Sequence, residues 1–230
     1  MLVHAFAARA AGDRNDAVRT ERQDDTVAAR ALGHLALYYV PGTEDQARTL
    51  LRALGFTLVD NGPQGFTSAL ADEPTANHHD NLIYLAAMTD QQWALEQELR
   101  ERLETSKNAD AFRELLAQWP EAGPHVGVKY ESLEELEQLL GTLEDDSAPG
   151  GPLHGHVQLR KFGARPGLDP EVDARMARSP AFTGDEHPAF GDHIIQCFLR
   201  TDLFGVLSSA STIELDYAFA PFFDHPPVYG

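Results

Sequence analysis

A chain of 230 residues, 43% of them hydrophobic, has room for one large domain or two small ones around an ordinary core. The formal charge of −18 argues against a nucleic-acid backbone or an anionic membrane as the main partner, since both select a basic footprint. Cys197 is the only cysteine, no apolar run approaches a membrane span, and no basic segment precedes the apolar first ten residues. The expectation is a cytoplasmic protein without disulfide, signal peptide or membrane contact.

Residues 1–30 are expected to form a mobile arm, because 11–28 are polar and lack sustained apolar periodicity. An arm that clasps a second copy in a homodimer is the alternative. The first module spans 31–88. Its opening stretch, residues 33–60 (GHLALYYVPGTEDQARTLLRALGFTLVD), reads as strand, helix, strand. His34, Ala36 and Tyr38 share one strand face, and Leu35, Leu37 and Tyr39 share the other. Thr43 and Gln46 have the spacing of a capping box, and Ala47, Leu50, Leu51 and Leu54 make one apolar stripe. Gly55 falls where a helix-ending glycine is expected. Strands follow at 56–59, 66–71 and 81–87, the last with Leu82, Tyr84 and Ala86 on one face. His78 and His79 are adjacent, in a loop over 73–80, and read as exposed loop residues.

A helical connection covers 89–120. Thr89 or Asp90 can cap its start, and Leu95, Leu99 and Leu103 repeat every four residues. The pattern breaks at 107–109, and Asp110 can cap a second helix with a stripe of Phe112, Leu115, Leu116 and Trp119. Both helices are expected to cover a sheet or a subunit contact. The second module spans 121–230 and repeats the opening of the first. In residues 124–145 (PHVGVKYESLEELEQLLGTLED), His125, Gly127 and Lys129 share a strand face. Ser132 and Glu135 have capping-box spacing, and Leu136, Leu139, Leu140 and Leu143 repeat the stripe. A strand is expected over 156–162. His154 and His156 are a metal pair or, more plainly, polar residues at a strand edge. Residues 163–191 form a Pro- and Gly-containing excursion in which Asp169-Pro170 can start a short helix. It is expected at a cavity rim, more mobile than the sheet. Strands at 192–201 and 206–219 complete the module, with a turn at 202–205 and an aromatic, Pro-rich tail.

The 33–60 stretch resembles the first half of a βαβββ module of the vicinal oxygen chelate superfamily, which includes glyoxalase I, bleomycin- and fosfomycin-resistance proteins and extradiol dioxygenases. PHVGVKYESLEELEQLL resembles the start of a second module, and FLRTDLFG with TIELDY resembles the closing hairpin. The resemblance covers about residues 31–219. It implies an α+β fold: two paired βαβββ modules forming a curved mixed sheet around a cavity, with extra connecting helices. Metal ligands in that superfamily come from first and last strands. Residue by residue, His34 and His125 match the first-strand positions and Glu214 the last strand of module two. The last-strand position of module one falls near Tyr84, which is not the carboxylate of glyoxalase I.

Two imidazoles and a carboxylate are the donor set of non-haem iron(II) oxygenases, so Fe²⁺ is the expected ion and Mn²⁺ or Zn²⁺ the alternatives. The resemblance thus implies a metal-dependent enzyme acting on a small oxygen-bearing substrate, in its most concrete form an extradiol ring-cleaving dioxygenase. Tyr84 or a spare histidine would serve as its acid or base. The alternatives are a metal-free protein sequestering a small ligand, as in bleomycin resistance, and a scaffold acting through the helical connection and tail.

Overall fold

The computed structural model describes residues 33–62, 65–71, 81–167, 169–184, 186–188 and 193–219. The arm at 1–30, His78 and His79, and the tail from 220 onward lie outside the described residues. Strand β1 (His34–Tyr39) leads into helix α1 (Glu44–Ala53), followed by β2 (Thr57–Asp60), β3 (Phe66–Leu70) and β4 (Leu82–Ala87). Helices α2 (Asp90–Glu104) and α3 (Lys107–Gln118) and a 3-10 turn (Pro120–Ala122) make the connection. The second unit runs β5 (Val126–Lys129), α4 (Leu133–Ser147), β6 (Val157–Phe162), α5 (Pro170–Met176), β7 (Ile194–Thr201) and β8 (Thr212–Ala218). The strands form two four-stranded mixed sheets, ordered β1-β4-β3-β2 and β5-β8-β7-β6, each with its first and last strands parallel. This is the α+β architecture of two βαβββ modules.

Alternation explains which face is buried. In β1 the His34, Ala36 and Tyr38 side is exposed, whereas Leu37 on the other side is 2% exposed. Each apolar face packs on its own helix, and the helices α1 and α4 pack on each other. A single apolar core therefore runs from Leu37 and Leu85 through Leu50, Leu51, Leu136 and Leu140 to Ile195 and Leu215. Burying a leucine side chain there stabilises by roughly 1.5–3 kcal/mol. Two further contacts join the modules at this seam: the Tyr130 hydroxyl donates to the Leu54 carbonyl (3.0 Å), and the Val40 amide donates to Leu203 O (2.9 Å).

Several local expectations change. Thr43 does not cap α1; its hydroxyl turns back and donates to Val40 O. Ser132 does cap α4, accepting from the Glu135 amide, and the full capping box occurs at Thr89–Gln92 on α2. Gly55 takes the left-handed conformation after α1 (φ 87°), as a helix-ending glycine does. The break between α2 and α3 falls at Thr105–Ser106, and Ser106, not Asp110, caps α3 through Ala109 N. The stripes of α2 and α3 are not buried either: Leu95, Phe112 and Trp119 are 48%, 44% and 50% exposed, while the buried residue of α2 is Glu96. Its two carboxylate oxygens accept from the Val206 amide (2.8 and 3.0 Å) and Arg100 Nε donates to it (2.7 Å). A carboxylate, not a leucine, thus anchors α2 to the turn between β7 and β8.

The excursion at 163–191 is also more than a rim. Ala164, Val172, Ala181 and Phe182 belong to the core. Arg175 bridges Glu134 and Glu137 of α4 (3.0 and 2.6 Å), and Asp169 caps α5 as its Asp-Pro start suggests. Its apolar residues are spaced irregularly, which hid their burial from any periodic reading.

Candidate functional site

The polar face of module two is built by cross-strand register. Three rows cross it: Gln158, Arg200 and Thr212; then Arg160, Phe198, Glu214 and Gly127; then Phe162, Gln196, Asp216 and Lys129. Residues in register on one face lie within side-chain reach of one another. Just before β5, His125 points into this face. Its Nε2 lies 2.8 Å from Glu214 Oε2, and its ring meets Phe198 edge-on at 6.1 Å. Gln196 Nε2 donates to Glu214 Oε1. Both Gln196 and Glu214 are buried, at 8% and 7% exposure.

The tautomer of His125 follows from its other nitrogen. Nδ1 lies 2.9 Å from the Gly123 carbonyl, which can only accept, so Nδ1 carries a hydrogen. Nε2 then presents a lone pair to Glu214 unless a second proton sits on the ring. Two electron-rich atoms at 2.8 Å need a positive species between or beside them, a proton or a cation. Orientation of a histidine by a backbone carbonyl at its far nitrogen is the arrangement usual for metal-ligating imidazoles.

Asp216, in the adjacent row, adds a second carboxyl to this face. Burial, then the neighbouring Glu214 charge and a hydrogen bond with Glu214, push its carboxyl up to about 8, against the opposing pull of Gln196 and Lys129. Among the described residues, Asp216 Oδ1 and Gln196 Oε1 are buried without a hydrogen-bond partner. Neither residue was singled out by the sequence analysis. The signal was present for Asp216, which stands two positions after Glu214 in TIELDY and so shares its face.

His34 and Tyr84 lie together in module one. Their rings are 4.8 Å apart, and Phe66 meets Tyr84 edge-on at 5.0 Å. Register makes Tyr84 the counterpart of Glu214: Tyr84 stands opposite Ala36, two residues after His34, and Glu214 stands opposite Gly127, two residues after His125. The structure thus brings His125 and Glu214 into contact and places His34 beside Tyr84. Among the described residues no group of three or more His, Cys, Asp and Glu is gathered so as to hold a metal ion. His154 and His156 do not pair with each other. Both precede β6, His154 facing Ser147 O (3.2 Å) and His156 the Asp202 carboxylate (2.9 Å).

For a divalent cation, the donor types fit, and so does the pair spacing. Two ligands bound at right angles with bonds of about 2.1 Å stand about 3.0 Å apart, close to the 2.8 Å between His125 and Glu214. The orphaned Asp216 Oδ1 is a further oxygen at the same face.

The connection borders part of each polar face and leaves a cleft at each. A cleft of about 720 Å³ lies between α2–α3 and the Gln158–Arg200–Thr212 row. A smaller one, about 270 Å³, lies between α2, the exposed face of β1 at Ala36 and Tyr38, and the turn after β7. Among the described residues no helix is long and apolar enough to cross a membrane.

No protein-family model matches the chain, and no curated protein matches it. Among solved structures, it is similar to a Bacillus anthracis protein described as of the glyoxalase family, with 8% identity and a TM-score of 0.39. That alignment covers 84% of this chain and 98% of the other. A hypothetical protein from S. aureus aligns at 8% identity and a TM-score of 0.34, over 84% of this chain and 95% of the other. Proteins of the glyoxalase family belong to the vicinal oxygen chelate superfamily. At these values the likeness carries nothing about chemistry, and the paired βαβββ fold stands on the strand order and register of the two sheets.

Proposed function

We propose that the polar face of module two is the reactive centre of a metal-dependent enzyme acting on a small oxygen-bearing molecule, with His125 and Glu214 as ligands of a divalent cation. The observation that supports this reading is the 2.8 Å contact between His125 Nε2 and a Glu214 carboxylate oxygen, with Nδ1 tied to Gly123 O. His34, the third ligand suggested by the sequence, stands beside Tyr84 and is not gathered with this pair, so the proposed ion is held by His125 and Glu214, with Fe²⁺ as the candidate and Mn²⁺ or Zn²⁺ as alternatives. Such an ion would polarise a substrate oxygen as a Lewis acid, and with Fe²⁺ it would supply the chemistry of extradiol ring cleavage. The chain's own contribution is orientation. Gly123 O fixes the imidazole, Gln196 fixes the Glu214 carboxylate, and Phe198 walls the site. Tyr84, beside His34, is the proposed acid or base.

The test is the metal content of protein purified without added metal, followed by calorimetric titration with Mn²⁺. One ion per chain is expected, and His125→Ala or Glu214→Gln should weaken binding on the order of 100-fold. Oxygen uptake with catechols after anaerobic Fe²⁺ loading then tests the ring-cleaving form. Wild-type affinity in both variants would end the metal reading. A metal-free binding protein is the second reading, favoured by one observation: no third ligand is gathered at the pair among the described residues.

A further inference from the structure

We propose that the cleft beneath α2 and α3 binds a small organic anion with an apolar body, its single carboxylate or sulfonate read by Arg200. The proposal does not depend on the cation reading, because no residue lining this cleft is one of the proposed ligands.

Charge and partnership single out Arg200. The chain carries a formal −18, yet three arginines, Arg100, Arg113 and Arg200, line this one cleft. Two of them are already paired, Arg100 with Glu96 (2.7 Å) and Arg113 with Asp110 (2.6 Å). The Arg200 guanidinium makes no hydrogen bond or ion pair among the described residues. It is the one exposed position of β7, held at mid-sheet between Gln158 and Thr212 by register. A guanidinium on a rigid strand is pre-oriented for a planar, two-oxygen acceptor.

The opposite wall carries an apolar strip among charged residues. The α3 stripe that does not reach the core, Phe112 with Leu116, faces the same space, with Leu103 of α2 beside it. Phe112, exposed on a helix that buries no residue, offers a flat apolar face to a ligand body in the cleft. The volume, about 720 Å³, suits a molecule of two fused rings. Of the two carboxylates in the lining, Asp202 is held by His156, and Glu104 stands on the helix side. That balance selects one negative charge and disfavours a polyanion. Module one has no equivalent at the matching position, since register places Leu70 and Leu82 there where module two has Arg200 and Thr212.

The probe pair is 2-naphthoate and its neutral analogue 2-naphthylmethanol, titrated by calorimetry into the full-length protein. Naphthoate should bind one per chain. Arg200→Gln should weaken it at least about tenfold, the scale of a lost charge-assisted hydrogen bond, and leave the alcohol within twofold. Phe112→Ala should weaken both. Circular dichroism unchanged in Arg200→Gln is expected, since the side chain is exposed. Naphthoate binding that Arg200→Gln leaves intact, an equal loss for acid and alcohol, or no naphthoate binding at millimolar concentration would each overturn the proposal.

Discussion

The two modules share a backbone plan and differ in what their polar faces carry. Register pairs them position by position. Module one has Leu82, Tyr84 and Ala86 along its last strand where module two has Thr212, Glu214 and Asp216. It has Phe66, Ser68 and Leu70 on the adjacent strand where module two has Gln196, Phe198 and Arg200. The helix-facing sides are alike: Leu50 and Leu51 of α1 and Leu54 at its end correspond to Leu139, Leu140 and Leu143 of α4. Packing is therefore common to both halves, and titratable chemistry is concentrated in one. A fold with two equivalent faces needs only one of them charged to make a site, which spares the other the cost of desolvating carboxylates.

The largest expected effects test the shared half of this comparison. Leu51→Ala and Leu140→Ala each remove a fully buried side chain and should cost about 2–5 kcal/mol in urea unfolding. Because one core runs through both helices, each variant should still unfold in a single transition. Two separate transitions would mean that the modules fold as independent domains.

Next comes the anchor of the connection. Glu96→Ala leaves the Val206 amide and Arg100 without their acceptor and should cost about 2–3 kcal/mol, discounted for the partial exposure of Arg100. Glu98→Ala, two residues along on the exposed side, should shift the urea midpoint by almost nothing. Equal midpoints for the two variants would remove the buried carboxylate from the account of how α2 is held.

The same residue marks the limit of what was legible in the sequence. Strand alternation and the leucine stripes of α1 and α4 specify the repeated module, because burial of one face imposes a period on the residues. Glu96 obeys no such period. Its burial depends on an amide from residue 206, 110 positions away. Leu95 and Phe112 had the right spacing and stayed exposed, since spacing states that a face is apolar and not what covers it. At the site, His125 and Glu214 were legible as strand-face positions, and the structure puts them in contact. Asp216 was readable from the same alternation. Gln196 and Arg200 acquire their roles only through register with β8, which no local pattern encodes.

A smaller effect separates the modules on their buried strands. Cys197 in module two takes the place of Thr67, whose hydroxyl donates to Asp60 in module one. Burial pushes the Cys197 thiol up to about 12, from an ordinary value near 9. The folded state holds the proton more tightly, so this contribution to stability is complete below about pH 9 and is lost as pH rises toward 12. At pH 8 the native thiol should resist an aromatic disulfide reagent and react only on unfolding. Rapid reaction in native protein would show that the strand opens locally.

The last and smallest expected effect is a transplant. Tyr84→Glu places a carboxylate opposite Ala36, at the register position Glu214 holds in module two. His34 is already beside it, with ring centroids 4.8 Å apart in the native pair. The substitution forfeits edge contacts with Phe66 and His34, a loss of about 0.5–1.5 kcal/mol. The site is half-buried, so the new carboxylate keeps partial hydration and the fold should survive. If module two owes its chemistry to a carboxylate at this position, the variant should gain Mn²⁺ affinity several-fold, and His34→Ala in the same background should abolish the gain. A gain that survives loss of His34 would assign it to surface charge. No gain at all would mean that orientation, the role of Gly123 O and Gln196 in module two, matters more than the ligand pair itself, because module one offers His34 no equivalent among the described contacts.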